Sequence, residues 1–262
     1  MLIDVSGFSN GAGADTLAYI EVVSMADYTF VLIHGGWHGG WCFKRVARLL
    51  RARGHEVFTP TLTGLGERSH LSSGGINLST HITDVVNVLR WEDLEKVVLC
   101  GHSYGGVVIT GVAEQVPGLI SSIVYLDAFI AKDGRSVLDM LPPAASAAVL
   151  SSVASRGGLA VPAISAAEFN VNAADRAWVD GKCTAQPLAS SLEAIRVTGA
   201  YQRIKSKTFI RAARYSSPDI DAHYEVCAAD PSWNVRRMDC GHDLMIDMPE
   251  TLADLLEEAA HR

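Results

Sequence analysis

Gly101-His102-Ser103-Tyr104-Gly105 sets a serine between two glycines, directly after the apolar run Lys96–Cys100 and before a stretch of helical spacing that Pro117-Gly118 ends. In that setting the G-x-S-x-G pattern predicts a sharp strand-to-helix turn. Glycines remove the side chains that would collide, and the serine hydroxyl stands clear of the sheet edge. A lone serine hydroxyl is a weak nucleophile. It needs a base within hydrogen-bond reach, a carboxylate to orient that base and backbone donors for a developing oxyanion. Of the nine histidines, His242 alone sits on a short loop between the last strand and the last helix, at the sheet edge where the serine also stands. His34 and His38 lie in a glycine loop and shape it. His102 belongs to the turn but faces away from its serine, and His55, His81, His223 and His261 read as surface residues. The backbone N–H groups of Gly36 and Tyr104 are the candidate oxyanion donors.

The elements that must position these residues alternate in type. Tyr28–His34 is a near-continuous apolar run, expected of a strand covered on both faces. His34-Gly35-Gly36-Trp37-His38-Gly39-Gly40-Trp41 follows, then a helix from Cys42 to Arg53 closed by Gly54. Glu56–Thr59 is a second strand. Beyond Pro60 runs a long irregular loop in which the adjacent charges Glu67 and Arg68 brace the backbone. Leu78–Trp91 carries apolar residues at 82, 85, 86 and 89, the pattern of an amphipathic helix, capped by Ser79 or Thr80. Ser122–Leu126 is a strand ending at Asp127-Ala128-Phe129. Lys207–Ala212 and Asn234–Met238 read as strands, Asp219–Ala229 and Pro249–His261 as helices. Strands and helices alternating at these lengths make crossover units, hence an α/β protein with a mostly parallel, doubly wound sheet. Residues 131–205 break the rhythm. They are rich in Ala, Ser and Pro, with short helical pieces near 144–154, 173–179 and 188–204 and no strand alternation, which suits an inserted helical cap. The core is therefore assigned to 25–130 and 206–262, and residues 1–24 to a poorly ordered extension.

Composition narrows the function. With 262 residues, 48% hydrophobic and 19% charged, the chain can bury a sizeable core. A net charge of -7 offers no basic patch for nucleic acid or an anionic membrane and favours a neutral substrate. No apolar run reaches membrane-spanning length and the first residues lack the pattern of a secretory signal, which predicts a cytoplasmic protein. Cys42, Cys100, Cys183, Cys227 and Cys240 are odd in number with no C-x-x-C pair, so they read as reduced, mostly buried residues.

Five segments run in order from Phe30 to Glu250: FVLIHGGWHGGWC (30–42), TPTLTGLGERSHL (59–71), VVLCGHSYGG (97–106), VYLDAF (124–129) and CGHDLMIDMPE (240–250). In them the chain resembles the α/β-hydrolase superfamily, and within it the branch of plant methyl-ester esterases, hydroxynitrile lyases and small bacterial esterases. The resemblance implies the α/β-hydrolase fold, a serine nucleophile with no cofactor or metal, and homodimers pairing through cap or edge elements. Two departures matter. In the plant esterases the acid is an aspartate just after the strand that here reads Thr208–Ala213, and this chain has no carboxylate there until Asp219. Asp127, at the end of the preceding core strand, stands where related hydrolases such as the haloalkane dehalogenases supply the acid. It is the chosen residue, with Asp219, Asp221 and Asp243 as alternatives and loop bracing as its bland reading. Its role would be to hold the His242 tautomer and stabilise the imidazolium. Similar lyases carry a threonine at the place of Gly35 and a lysine at the place of Asp243, so the cation that would stabilise a leaving cyanide is missing.

The resulting expectation is a serine esterase cleaving a small, largely apolar carboxylic ester, methyl esters and methyl carbamates among them, through an acyl-enzyme on Ser103. Trp37, Gly35 and Phe129 are the candidate pocket residues, with Trp41, Leu65 and Tyr104 as further apolar candidates. A small-molecule ester is the partner expected, with no nucleic acid and no membrane. The alternatives are a hydroxynitrile lyase or an amide or lactone hydrolase on the same triad, or a non-catalytic small-ligand receptor.

Overall fold

The apolar run at Phe30 forms β1 (Thr29–Ile33), in which Phe30 and Leu32 point to one face and Val31 and Ile33 to the other, all fully buried. The structure is a computed structural model that describes residues 28–155 and 157–262; the extension expected at 1–24 lies outside the described residues. After β1 come α1 (Lys44–Ala52), β2 (Glu56–Phe58), α2 (Leu78–Trp91), β3 (Val97–His102), α3 (Gly105–Gln115) and β4 (Ile120–Leu126). The irregular part holds α4 (Val137–Met140), α5 (Pro143–Ala154), β5 (Ala160–Val161), α6 (Arg176–Asp180), β6 (Gln186–Pro187) and α7 (Ala189–Leu192). The alternation then resumes with β7 (Ser206–Ala212), α8 (Pro218–Ala229), β8 (Trp233–Met238), α9 (Leu244–Asp247) and α10 (Pro249–Ala260).

Six strands form one parallel sheet in the order β2-β1-β3-β4-β7-β8. Both faces are covered. Val31, Leu99, Ile123 and Tyr125 pack with α2, α3 and α8, while Phe30, Val98, Val124 and Ile210 pack with α1 and α10. Each such side chain taken out of water contributes about 1.5–3 kcal/mol, which explains why continuous apolar runs, and not alternating ones, mark the central strands. The order reverses direction between β1 and β3, and a sheet of this kind opens its binding crevice at the carboxyl ends of the strands near that point.

Three details differ from expectation. The cap of α2 is Asn77: its side chain accepts from the Thr80 backbone at 2.9 Å while the Thr80 hydroxyl takes the Asn77 N–H at 3.4 Å, a capping box that starts two residues before Ser79 and uses Thr80 as its far partner. The insertion also contains strands. β5 and β6 pair antiparallel, Ala160 with Pro187 and Val161 with Gln186. Two-residue strands are too short to leave an alternating pattern. The long helical piece expected at 188–204 is α7 followed by extended chain and a 3₁₀ turn at Tyr201–Arg203, broken where Gly199 takes a left-handed conformation (φ 90°). No helix among the described residues is long and apolar enough to cross a membrane.

Candidate active site

β3 delivers Ser103 at the crest of the turn into α3. Its φ of 53° is left-handed, a strained position for a residue with a side chain, and such strain clusters at functional sites. The backbone is locked there: Ser103 N–H donates to Leu126 at 3.1 Å, and its carbonyl accepts from Gly106 at 3.0 Å and Phe129 at 3.2 Å. A Cβ on Gly101 would lie 2.5 Å from the Gly105 carbonyl oxygen, and one on Gly105 would lie 2.7 Å from that of Ile33. The flanking glycines are therefore set by close backbone approach. Gly35, expected at the pocket wall, stands behind the serine instead: a Cβ there would come within 2.9 Å of the Ser103 Cβ and 2.8 Å of His102 Nδ1. That position has no room for the threonine of similar lyases.

His242 follows β8 and is 3% exposed. Its N–H donates to the Phe169 carbonyl at 2.9 Å, and its ring stacks on Tyr215 with centroids 4.4 Å apart. Nδ1 donates to Asp127 Oδ2 at 2.6 Å, leaving Nε2 as the free ring nitrogen. Asp127, fully buried and itself left-handed at φ 45°, turns off the end of β4. Its second oxygen accepts from Arg211 Nη1 at 2.6 Å and from the Ala212 N–H at 3.0 Å, so the carboxylate is satisfied as an anion on both sides. The other carboxylates go elsewhere. Asp221 accepts from Arg211 Nε at 2.8 Å, Asp243 pairs with His38, and Asp219 lines the cavity.

Arg211 is a residue that sequence reasoning missed. It is 2% exposed on β7 and also donates to the carbonyls of Ala212 and Tyr215. A charged residue inside the apolar strand, just before the empty acid position, was the available signal.

The glycine loop after β1 carries Gly36. Among the described residues, the N–H groups of Gly36 and Tyr104 have no protein acceptor. The peptide that bears the Gly36 N–H is held through its carbonyl: His34 Nδ1 donates to the Gly35 oxygen at 2.8 Å while His34 Nε2 accepts from Leu62 at 3.0 Å. One donor and one acceptor make this ring neutral, and burial drives its pKa down to about 3. Trp37, left-handed at φ 64°, is pinned by the insertion: its N–H donates to Gln186 Oε1 at 3.2 Å, its indole to Val161 at 3.1 Å, and its carbonyl accepts from Thr184 at 2.9 Å. Tyr104 is fixed from the other side, its hydroxyl donating to His81 Nδ1 at 2.7 Å while His81 Nε2 donates to the Thr63 carbonyl at 2.9 Å.

His81 is thus a correction to the sequence reading. It faces α3 and is fully buried, not on the surface, because both ring nitrogens find partners. His55 is buried as well, donating to Glu257 at 2.7 Å, whereas His223 is half-buried and His261 exposed. His102 does face away from Ser103, donating to the His242 carbonyl at 2.9 Å. In the long loop Arg68 donates to the Thr61 carbonyl at 2.8 Å, which is bracing, while Glu67 is exposed.

A cavity of about 340 Å³ joins these groups. Ser103, His242, Gly36 and Tyr104 form its floor, Trp37 and Phe129 its wall, and Leu138, Val149, Val161, Phe169 and Gln186 its roof from the insertion. Trp41 and Leu65 are elsewhere: Trp41 stacks on His38 at 5.3 Å and Leu65 is buried in the core. Gln186, Phe169 and Tyr215 carried no sequence signal, since each gains its place only through tertiary packing. A larger cavity of about 910 Å³ lies against α8 and touches neither Ser103 nor His242. No group of three or more His, Cys, Asp or Glu residues among those described is arranged to hold a metal ion.

A six-stranded parallel sheet with a serine turn after β3, a histidine loop after β8 and an insertion between β4 and β7 defines the α/β-hydrolase class of protein. The sequence profile of the alpha/beta hydrolase family matches residues 30–255, and the chain belongs to that family. It is 42% identical over 236 residues to a carbendazim hydrolyzing esterase of Nocardioides sp. strain SG-4G, covering 87% of this chain and 97% of that one. It is 36% identical over 112 residues to methylesterase 1 of Arabidopsis thaliana, a match spanning 38% of this chain and 39% of the relative. In fold it is similar to an extracellular α/β-hydrolase from a Paenibacillus species, with a TM-score of 0.77, 24% identity and 88% and 98% of the two chains covered.

Proposed function

We propose that this chain is a serine esterase acting on small, largely apolar esters, with methyl carbamates as the foremost class. One observation carries the reading: the free Nε2 of a histidine oriented by Asp127 opens on the same cavity as a serine held at φ 53°. Ser103 Oγ bonds to the carbonyl carbon as His242 Nε2 takes its proton, and the N–H groups of Gly36 and Tyr104 receive the oxyanion. The carbon–alkoxy bond then breaks and His242 returns the proton to the departing alcohol. Water repeats the sequence on the acyl- or carbamoyl-serine, releasing the acid and restoring Ser103. The mostly apolar walls favour a neutral substrate, and the esterase of Nocardioides, named for hydrolysing the methyl carbamate carbendazim, supports that class.

The cyanohydrin alternative is disfavoured by Asp243, which is fully buried on His38 and does not line the cavity. A panel of p-nitrophenyl esters, methyl esters, methyl N-arylcarbamates and cyanohydrins is expected to show ester and carbamate hydrolysis, with p-nitrophenol released from the first class and methanol from the second and third. Cyanide release without ester hydrolysis would overturn the reading in favour of a lyase.

A further inference from the structure

His38 and Asp243 are buried side by side, 1% and 0% exposed, and the reaction above gives neither a step. His38 Nε2 lies 3.0 Å from Asp243 Oδ2, and His38 Nδ1 lies 2.8 Å from the carbonyl oxygen of Gly36. A peptide carbonyl and an ionised carboxylate only accept, so a ring bonded to both must carry a proton on each nitrogen. A neutral ring, in either tautomer, would forfeit one of the two bonds unless Asp243 were itself protonated.

The surroundings favour the charged pair. His38 is faced by His34 from the end of β1, His102 at the end of β3, Cys183 from the insertion and Asp243 before α9, which brings the carboxylate, while Cys42 before α1 lies near Asp243 and Cys183. His34 and His102 each donate one ring N–H to a carbonyl, at 2.8 and 2.9 Å. Burial alone would strip the proton from His38, but the Asp243 charge more than offsets it and raises the imidazole well above its usual range. Burial would likewise raise the Asp243 carboxyl, yet His38 pulls it down to about 2.

The location gives the pair a purpose. Gly36 is the candidate oxyanion donor, and Asp243 directly follows His242 in the chain. From the Gly36 carbonyl through His38 to Asp243, two hydrogen bonds join the loop that stabilises negative charge to the loop that moves the proton. His34 holds the peptide before Gly36 and His38 the peptide after it.

We propose that His38 is a positioning residue which, as an imidazolium clamped by Asp243, fixes the Gly36–Trp37 peptide and sets the oxyanion loop against the His242 loop. The functional half of this inference rests on the esterase reading; the charge state does not.

Two measurements test it on the full chain. With ¹⁵N-labelled histidines, one imidazole is expected to keep both nitrogens protonated at about pH 7.5, above the ordinary histidine value of about 6.5, and its signal should vanish in His38→Gln. A bare ring nitrogen on His38 at that pH overturns the inference. For function, Asp243→Asn and His38→Gln are expected to lower kcat on p-nitrophenyl acetate about 10–100-fold with KM within about threefold, rates being taken per phosphonate-titratable serine well below the Tm. Unchanged kcat per titrated site would reduce the pair to a structural role.

The pair also has a signature in stability. A histidine whose value is raised by folding contributes fully below about pH 6.5 and loses its contribution as pH rises through the raised value; Asp243 contributes above about pH 4 and loses it towards about 2. Asp243→Asn should therefore flatten the alkaline fall in Tm. If both variants fail to fold, the spectrum of the unmodified chain still decides the charge state. Should Ser103→Ala retain activity, the esterase reading fails while the protonation result stands.

Discussion

Ser103→Ala is expected to lower kcat on short p-nitrophenyl esters by at least about 10⁴-fold, because a covalent route with no nucleophile leaves only pocket binding and the oxyanion donors. Folding should hardly change. No hydrogen bond to protein is recorded for the Ser103 hydroxyl among the described residues, and alanine at φ 53° carries the same backbone cost as serine. The thermal midpoint should therefore move by no more than a surface substitution does, about 0.5 kcal/mol in equivalent stability. Steady-state kinetics and a melting curve on one preparation check both halves. Full activity in the variant would remove the serine from the chemistry.

Asp127→Asn is the second large effect. The carboxylate accepts the Nδ1 proton of His242 at 2.6 Å, and an amide can present its NH₂ there, favouring the wrong tautomer. In a Ser-His-Asp arrangement that change costs about 10⁴-fold in kcat. Here it should also cost stability, because Arg211 is 2% exposed and Asp127 is one of its two carboxylate partners. Breaking a buried pair from one side costs about 3–5 kcal/mol. Asp221→Asn removes the half-exposed partner of Arg211, and Asp219→Asn changes the cavity rim; both should keep kcat within about threefold. A loss confined to Asp219→Asn or Asp221→Asn would show that the wrong carboxylate carries the role. The comparison needs kcat measured for all three variants at a temperature where each is folded.

The sheet was legible because its strands are buried on both faces: Phe30–Ile33 and Val97–Cys100 could hide their apolar side chains in no other way. Helix α2 was legible to the residue because its apolar positions recur at helical spacing. The serine turn and His242 were readable because their neighbours in sequence are also their neighbours in space. Asp127 could be reached only by noticing that the usual acid position is empty. Arg211 explains how the chain tolerates that vacancy, filling the end of β7 with a cation that braces a carboxylate on β4. It escaped notice because its one local signal, a charge inside an apolar strand, says neither that the arginine is buried nor what it pairs with. The insertion was recognised by its loss of rhythm, but its contacts with Trp37 through Gln186, Val161 and Thr184 join residues more than 120 positions apart. His81 misled for a similar reason: its partners, Tyr104 and Thr63, come from other elements.

The central claim is that Ser103 becomes covalently acylated. It is tested most directly by treating the protein with a slowly released carbamoylating or phosphonylating ester and weighing the product. The account predicts one adduct per chain, mapping by fragmentation to Ser103 within the tryptic peptide that follows Lys96 and ends at Lys132, with activity lost in proportion. Loss of activity with the adduct on another residue, or steady turnover with Ser103 never modified, would contradict it.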